Sequence, residues 1–350
     1  MLDFLTMYAQ KFPAKLAVVD DRPDEMPRSM TFAEFNRYAN RLANGLIDAG
    51  LPAGSKAMWC GKNSLELMAF MHAARKAGMV MVPMNYRLSE PEAIYVVNDS
   101  DAMLVFADAE FAELFATIRA ETPGLKEVVI FAGRPLPGQV SESSFLGDES
   151  DPDIVLLEHS GNMIYTSGTT GKPKGAVRHQ SASQEQGEGL RDLVGYDTDD
   201  IYLTCGPLYH SGPGGFALAS HARGSTIVLQ HRFDAEDWLR LIDKYKCSST
   251  FSAPTPIRMV CNLPAETCAT YDLSSMRIMI ANAAPWPFSL KQQYVGVFPP
   301  ESLWEIYGST ELGVNTVLAP EDQLRKPGSC GKPAPYVEVS LLDDEGREIT

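Results

Sequence analysis

Apolar positions recur along most of the chain with alternating helical and strand periods. Thr31 to Glu34 forms a capping box, in which the Thr hydroxyl and Glu carboxylate satisfy reciprocal backbone donors. Phe35, Ala39, Leu42 and Leu46 then fall on one helical face, and Gly50 ends the helix. A short apolar strand, Lys56 to Cys60, follows. Next come a helix capped by Asn63 or Ser64 and running to Gly78, and a strand from Met79 to Met84. Ser89 to Glu92 opens another helix, Ala102 to Phe106 reads as a strand, and a further helix precedes the strand Glu127 to Phe131. Continuous apolar strands alternating with helices predict βαβ units and a mostly parallel sheet covered on both faces, which is α/β architecture.

The stretch from Gly133 to Asp153 is rich in Gly, Pro, Ser and acids and reads as a linker or long surface connection. Alternation resumes at Asn162 and runs to about Leu318, giving a second α/β unit. Lys326 to Pro335 is rich in Pro and Gly, and Val337 to Leu342 with the turn Asp343–Gly346 predicts a β-hairpin. Its second strand stops at Thr350, so the chain is expected to be the front part of a longer protein. The expected units are residues 1–155, then 156–325, then the start of a small β-barrel over 326–350.

Composition narrows the function. Hydrophobic residues make up 45% and charged residues 21% of the 350, as in an ordinary globular chain. A formal net charge of −15 argues against nucleic acid and anionic membrane surfaces. Against that background the cluster Lys172, Lys174 and Arg178 marks where an anionic ligand would sit. Cys60, Cys205, Cys247, Cys261, Cys268 and Cys330 show no metal-binding spacing and read as buried free thiols in a reducing cytosol. The first twenty residues lack signal-peptide architecture, and no run approaches the roughly 18 apolar residues of a membrane span. Cytoplasmic location is the expectation.

The strongest chemical signal is the run from Tyr165 to Gly175, directly after an apolar strand. Gly168 and Gly171 let backbone N–H groups converge on anionic oxygens. Thr166, Ser167, Thr169 and Thr170 add hydroxyl donors, and Lys172 and Lys174 add charge. A triphosphate with a leaving pyrophosphate needs this combination, which a merely solvated hairpin does not. The run is not a Walker A loop, because Pro173 follows Lys172 where Ser or Thr is required.

This run resembles the signature of the adenylate-forming superfamily: acyl- and aryl-CoA synthetases, luciferases and peptide-synthetase adenylation domains. Pro207 to Gly212 resembles its substrate gate, Ala281 to Pro285 its adenine wall, and Tyr307 to Glu311 its Tyr-Gly-x-Thr-Glu motif. With Gly328 to Pro333, the likeness covers essentially the whole chain in order. It implies two stacked α/β subdomains with ligands in the groove between them. It also implies attack of a carboxylate on the α-phosphorus of ATP, giving acyl-AMP and pyrophosphate, with later transfer to CoA.

By the same resemblance, Glu311 and Thr166 would hold Mg²⁺, and Thr310 and Lys172 would contact the phosphates. The nucleotide would lie among the Tyr165–Gly175 run, Ala283, Ala284 and Pro285, and the segment Glu305, Ile306, Tyr307, Gly308 and Ser309. His210 would gate the carboxylate, with Ser211, Gly214, Gly308 and Gly313 around the acyl group. A lone histidine is more often structural, and the other five are assigned nothing; the Pro207–Tyr209 context singles out His210. The 15 methionines read as core filler.

Two features depart from the family. Asn282 and Ala283 stand where the adenine wall often carries Gly-Gly. The family's ribose-binding Asp, hinge, mobile C-terminal domain and catalytic Lys lie downstream of these residues, so weak turnover with retained binding is expected. His210 and Ser211 replace the Phe-Asp pair of amino-acid adenylation domains, leaving a substrate ammonium without its counter-charge. A carrier-protein acyl-AMP ligase and a binding-only module stay as alternatives. Gly212, Gly214 and Gly215 either leave room for a bulky acyl group or shape a loop before a helix. Fatty, aryl and sterol-derived acids all stay open, as does a homodimer.

Overall fold

A computed structural model describes residues 3–166, 173–179, 184–309 and 313–349, the side chains of Thr166, Arg178, His179 and 184–186 excepted. Its strands are β1 Leu16–Asp20, β2 Arg28–Thr31, β3 Lys56–Cys60, β4 Val80–Met84, β5 Ala102–Asp108, β6 Glu127–Phe131, β7 Val140–Ser141, β8 Gly161–Thr166, β9 Lys174–His179, β10 Ile201–Leu203, β11 Thr226–Leu229, β12 Ser249–Ser252, β13 Ile278–Ala281, β14 Leu303–Ser309, β15 Gly313–Leu318 and β16 Lys332–Pro333. Its helices are α1 Phe4–Lys11, α2 Phe32–Asp48, α3 Leu65–Lys76, α4 Glu90–Asp99, α5 Ala112–Thr117, α6 Glu142–Phe145, α7 Gln184–Val194, α8 Ser211–His221, α9 Ala235–Tyr245, α10 Pro254–Cys261, α11 Ala265–Cys268 and α12 Phe288–Val295.

Local chemistry sets these limits. Thr31 and Ser89 each build a capping box with a Glu three residues on, and Ser64 accepts from the Leu67 amide at the start of α3. β3, β4 and β6 are continuously buried apart from their first residues at most, as strands covered on both faces must be.

Among the described residues two sheets form, one in the order β7-β6-β5-β3-β4-β8-β9 and the other β16-β15-β14-β13-β12-β10-β11-β1-β2. Both are parallel in their central strands and antiparallel only towards the edges. The expected boundary near residue 155 does not match a sheet boundary. β1 and β2 join the second sheet through β11, and the β8–β9 hairpin extends the first through β4. Pairing follows exposed backbone edges, and chain order does not constrain which sheet offers the edge.

A shared core ties the sheets together: Phe32, Phe35, Leu42 and Leu46 of α2 and Phe70 of α3 pack in one cluster with Val18, Tyr202, Ile227 and Ile280. Of the two readings of the Gly133–Asp153 stretch, the long surface connection holds and the free linker does not. The stretch carries β7 and α6 and lies on α2, where the Gly147 amide donates to Arg41 O and Asn44 Nδ2 donates to Ser150 O at 2.9 Å. Gly45 is needed there, because a Cβ would stand 2.2 Å from the Phe145 carbonyl oxygen. Near the end of the chain, a single antiparallel bridge, Leu342 to Glu348, closes the turn at Asp343–Gly346, and no closed barrel forms among the described residues. No described helix is long and apolar enough to cross a membrane.

Candidate functional site

The carboxyl ends of parallel strands from both sheets open on one groove of 1410 Å³. The first sheet contributes Asn63 beyond β3 and Asn85 to Leu88 beyond β4. The second contributes Cys205 to Pro207 beyond β10, Ser252 and Ala253 at β12, Asn282 and Ala283 beyond β13, and Gly308 and Ser309 at the end of β14. Ligands of open α/β sheets lie in such crevices, because helix amino ends and free loop backbone gather there.

One residue fixes the seam. Asn63 Nδ2 donates to Gly206 O at 3.0 Å and Gln230 O at 3.1 Å, while its Oδ1 accepts from the Leu208 amide at 2.9 Å. Its own carbonyl lies 2.8 Å from His231 Nδ1. Asn63 thus ties the turn after β3 to the loops after β10 and β11. Sequence reading gave it only a capping role, and nothing in a single sequence marks a cross-lobe amide.

The loop held by Asn63 presents His210, the N-cap of α8 in extended conformation. His210 is exposed on the groove, its ring 4.4 Å from that of Tyr209. Partial desolvation and then the Arg87 charge hold its pKa below the ordinary histidine value. Ser211, the first residue of α8, also lines the groove. Gly212, Gly214 and Gly215 lie inside the helix, not in a loop before it. A Cβ on Gly212 would meet the Phe251 ring at 2.3 Å, and one on Gly214 the Leu208 carbonyl oxygen at 2.4 Å. Gly214 is therefore a packing residue and does not line the groove; only Gly215 faces open space.

The expected adenine wall comes off the ends of β13 and β14, whose register pairs Ala281 with Glu305. Asn282 Nδ2 donates to Ile306 O at 2.6 Å, pinning the wall to β14. Ala283 takes φ +69°, a left-handed conformation that costs an L-residue about 1–2 kcal/mol and Gly nothing comparable. Small residues are kept there for backbone shape. Tyr307, within β14 and paired with Thr316, is 58% exposed and, unlike its neighbours Ile306 and Gly308, does not line the groove. Ala284 and Pro285 are exposed and outside the groove lining. Glu305 turns the other way and pairs with Lys291 of α12. Ile306, Gly308, Ser309 and Gly313 do line the groove.

The β8–β9 hairpin flanks the mouth. Thr166 pairs with Lys174 in register, and Tyr165 and Pro173 line the groove. Tyr165 Oη donates to Asp99 at 2.7 Å and Tyr95 Oη to Pro173 O at 3.1 Å, anchoring both arms to α4. Lys174 is exposed and outside the lining. Ser167, Gly168, Thr169, Thr170, Gly171, Lys172, Thr310 and Glu311 lie outside the described residues, as does the Thr166 side chain. Among the described residues no group of three or more His, Cys, Asp or Glu comes together as a metal site. The six cysteines are free; Cys60, Cys205 and Cys247 are buried as expected, whereas Cys330 is exposed.

Comparison with known proteins places this geometry. The chain matches the AMP-binding enzyme family over residues 5–350 and belongs to it. It is 31% identical over 92% of its length to indoleacetate–CoA ligase of Aromatoleum aromaticum, of which it covers 63%. To the fatty acid–[acyl-carrier-protein] ligase ScoC of Streptomyces coeruleorubidus it is 29% identical over 98% of its length, covering 65%. The solved N-terminal domain of FACL13 from Mycobacterium tuberculosis superposes with a TM-score of 0.85 at 26% identity, covering 99% of this chain and 85% of that one. The chain therefore spans a little under two thirds of the curated relatives it matches.

Proposed function

We propose that this chain binds ATP and a carboxylic acid and joins them as acyl-AMP with release of pyrophosphate, in an acid–thiol ligase whose acceptor is CoA. The observation that carries this reading is the groove built from strand carboxyl ends of both sheets within an AMP-binding enzyme fold. The adenine lies against the left-handed peptide at Ala283, and the phosphates lie under the Tyr165–Gly175 run. The acid's carboxylate approaches beside His210, where the amino end of α8 favours negative charge. His210, held largely neutral, gates the carboxylate without forming a fixed ion pair with it.

Mg²⁺ would be held by Glu311 and Thr166, a hard cation arriving on a triphosphate needing only one or two carboxylates. It would neutralise charge on the phosphate oxygens. The acyl chain enters along α8, past Phe216 and Phe251. Free buried thiols fit a cytoplasmic setting. A carrier-protein acceptor is the second reading, favoured by the likeness to a ligase named for that acceptor.

The test is a thermal-shift and calorimetry series on this chain with AMP, ATP–Mg²⁺ and hydrolysis-resistant acyl-sulfamoyl adenosines. Ligand at 100 times its dissociation constant should stabilise the fold by about 2.7 kcal/mol. The joined analogue should bind far more tightly than AMP or the free acid. If no nucleotide or analogue binds a chain that is folded by circular dichroism, the reading fails.

A further inference from the structure

The loop that presents His210 belongs to the second sheet, yet its position is set from the first. Gly206 to His210 lies between β10 and the amino end of α8. Within it the His210 amide donates to Pro207 O at 3.1 Å, which closes a turn but does not say where that turn sits. Pro207 has no N–H of its own, so the backbone groups flanking it, Gly206 O and the Leu208 amide, are handles by which the loop can be held. Asn63 takes both, at 3.0 and 2.9 Å.

The amide of Asn63 is buried, with both Nδ2 hydrogens given to Gly206 O and Gln230 O and Oδ1 accepting from Leu208. That set of bonds needs two donors and an acceptor on a short stem: Asp lacks the donors, Ser has one, and Gln is a methylene too long. A second brace comes from the same lobe. Tyr86, beyond β4, meets the Tyr209 ring edge-on at 5.5 Å, and the Tyr209 ring lies 4.4 Å from that of His210. Helix α8 closes on the loop from the other side, where a Cβ on Gly206 would stand 2.9 Å from Pro213. The loop is thus clamped between turns of the first sheet and a helix of the second, and the fit between lobes is passed to the His210 ring.

We propose that Asn63 is a positioning residue for the acyl end of the ligand. By holding Gly206 and Leu208 it keeps His210 and the amino end of α8 where the carboxylate is received. It acts through His210 and leaves nucleotide contacts alone. A recognition group is worth most when its supporting bonds hold it in place beforehand, and a loop released at Gly206 and Leu208 would forfeit that. This inference rests on the adenylation reading and adds to it the residue of the opposite lobe on which acyl recognition depends.

The experiment is a double-mutant cycle read by calorimetry with an acyl-sulfamoyl adenosine and with AMP. It uses the wild-type chain, Asn63→Ser, His210→Ala and the two together, each folded by circular dichroism. Asn63→Ser should weaken the acyl analogue about tenfold and AMP by less than about twofold. In the His210→Ala chain the same change should cost less than about twofold, because residues acting through one contact do not add. Asn63→Asp keeps the shape and the acceptor but loses both donors, and should behave as Asn63→Ser does. Weakening that multiplies with His210→Ala, or that falls equally on AMP, overturns the proposal while adenylation stands. If neither Asn63 variant folds, hydrogen exchange on the wild-type chain decides. The Leu208 amide should then exchange only with global unfolding, and exchange at the rate of an open loop overturns the proposal. A folded wild-type chain that binds neither AMP nor the analogue overturns both readings.

Discussion

Helix α8 is bounded by two histidines with opposite surroundings. His210 at its amino end is exposed on the groove beside Arg87, whereas His221 at its carboxyl end is fully buried. His221 Nε2 bonds Ala17 O at 2.8 Å and its Nδ1 meets His72 Nε2 at 2.9 Å, among the rings of Phe32 and Phe35. One bond to a carbonyl fixes the tautomers: His221 donates from Nε2, so His72 must donate to its Nδ1. The pair joins α3 under the first sheet to β1 of the second. The same side chain therefore faces the groove at one end of a helix and forms the joint between lobes at the other, according to what surrounds it.

The largest effect should come from the buried end. His221→Ala removes a packed ring and leaves Ala17 O and the His72 donor unmatched, and should cost about 3–5 kcal/mol in urea unfolding. AMP binding by the folded fraction should change little; a stability loss under about 1 kcal/mol would break the contrast.

Acid should find the same weakness. Burial depresses the pKa of both histidines, that of His221 to about 4, with Arg75 and Lys76 opposing charge on His72 and Lys15 opposing it on His221. The unfolded chain binds these protons first, so stability is full above about pH 6.5 and falls as pH drops towards 4. Each histidine contributes a slope of about 1.4 kcal/mol per pH unit in that window. Urea midpoints between pH 7 and 4 should show it, and His72→Gln, which keeps a donor towards His221, should flatten the slope.

At the mouth the expectations reverse. His210→Ala should leave stability within about 0.5 kcal/mol, since the side chain is exposed. It should weaken acyl-sulfamoyl adenosine binding roughly tenfold by calorimetry. An unchanged affinity would remove His210 from the site. The smallest effect is at Ala283, where Gly relieves the left-handed φ of +69° but loosens the unfolded chain. Ala283→Gly should stabilise by no more than about 1 kcal/mol, read as a small rise in melting temperature, with nucleotide affinity retained.

Much of this molecule was legible in its sequence because the deciding forces are local. Capping boxes at Thr31 and Ser89, the buried strands Lys56–Cys60 and Glu127–Phe131, and the glycine after α2 are each set by residues within four positions of one another. The motif segments, too, are continuous pieces of chain, and Pro207–Gly212, Asn282–Ala283 and Gly308–Ser309 do converge on one groove.

What the sequence could not decide is which elements meet. Which sheet takes β1, β2, β8 and β9 depends on unpaired edges offered by distant strands, and Asn63, His72 and His221 acquire their partners only across the seam. The apparent spaciousness of Gly212 and Gly214 likewise vanished against Phe251 and the Leu208 carbonyl, and Glu305 went to Lys291 rather than to the groove. By itself the sequence determined the elements, their order and the chemistry carried by each loop. Tertiary structure alone decided which side chains face the groove, because close packing and the satisfaction of buried polar groups are settled between residues far apart in the chain.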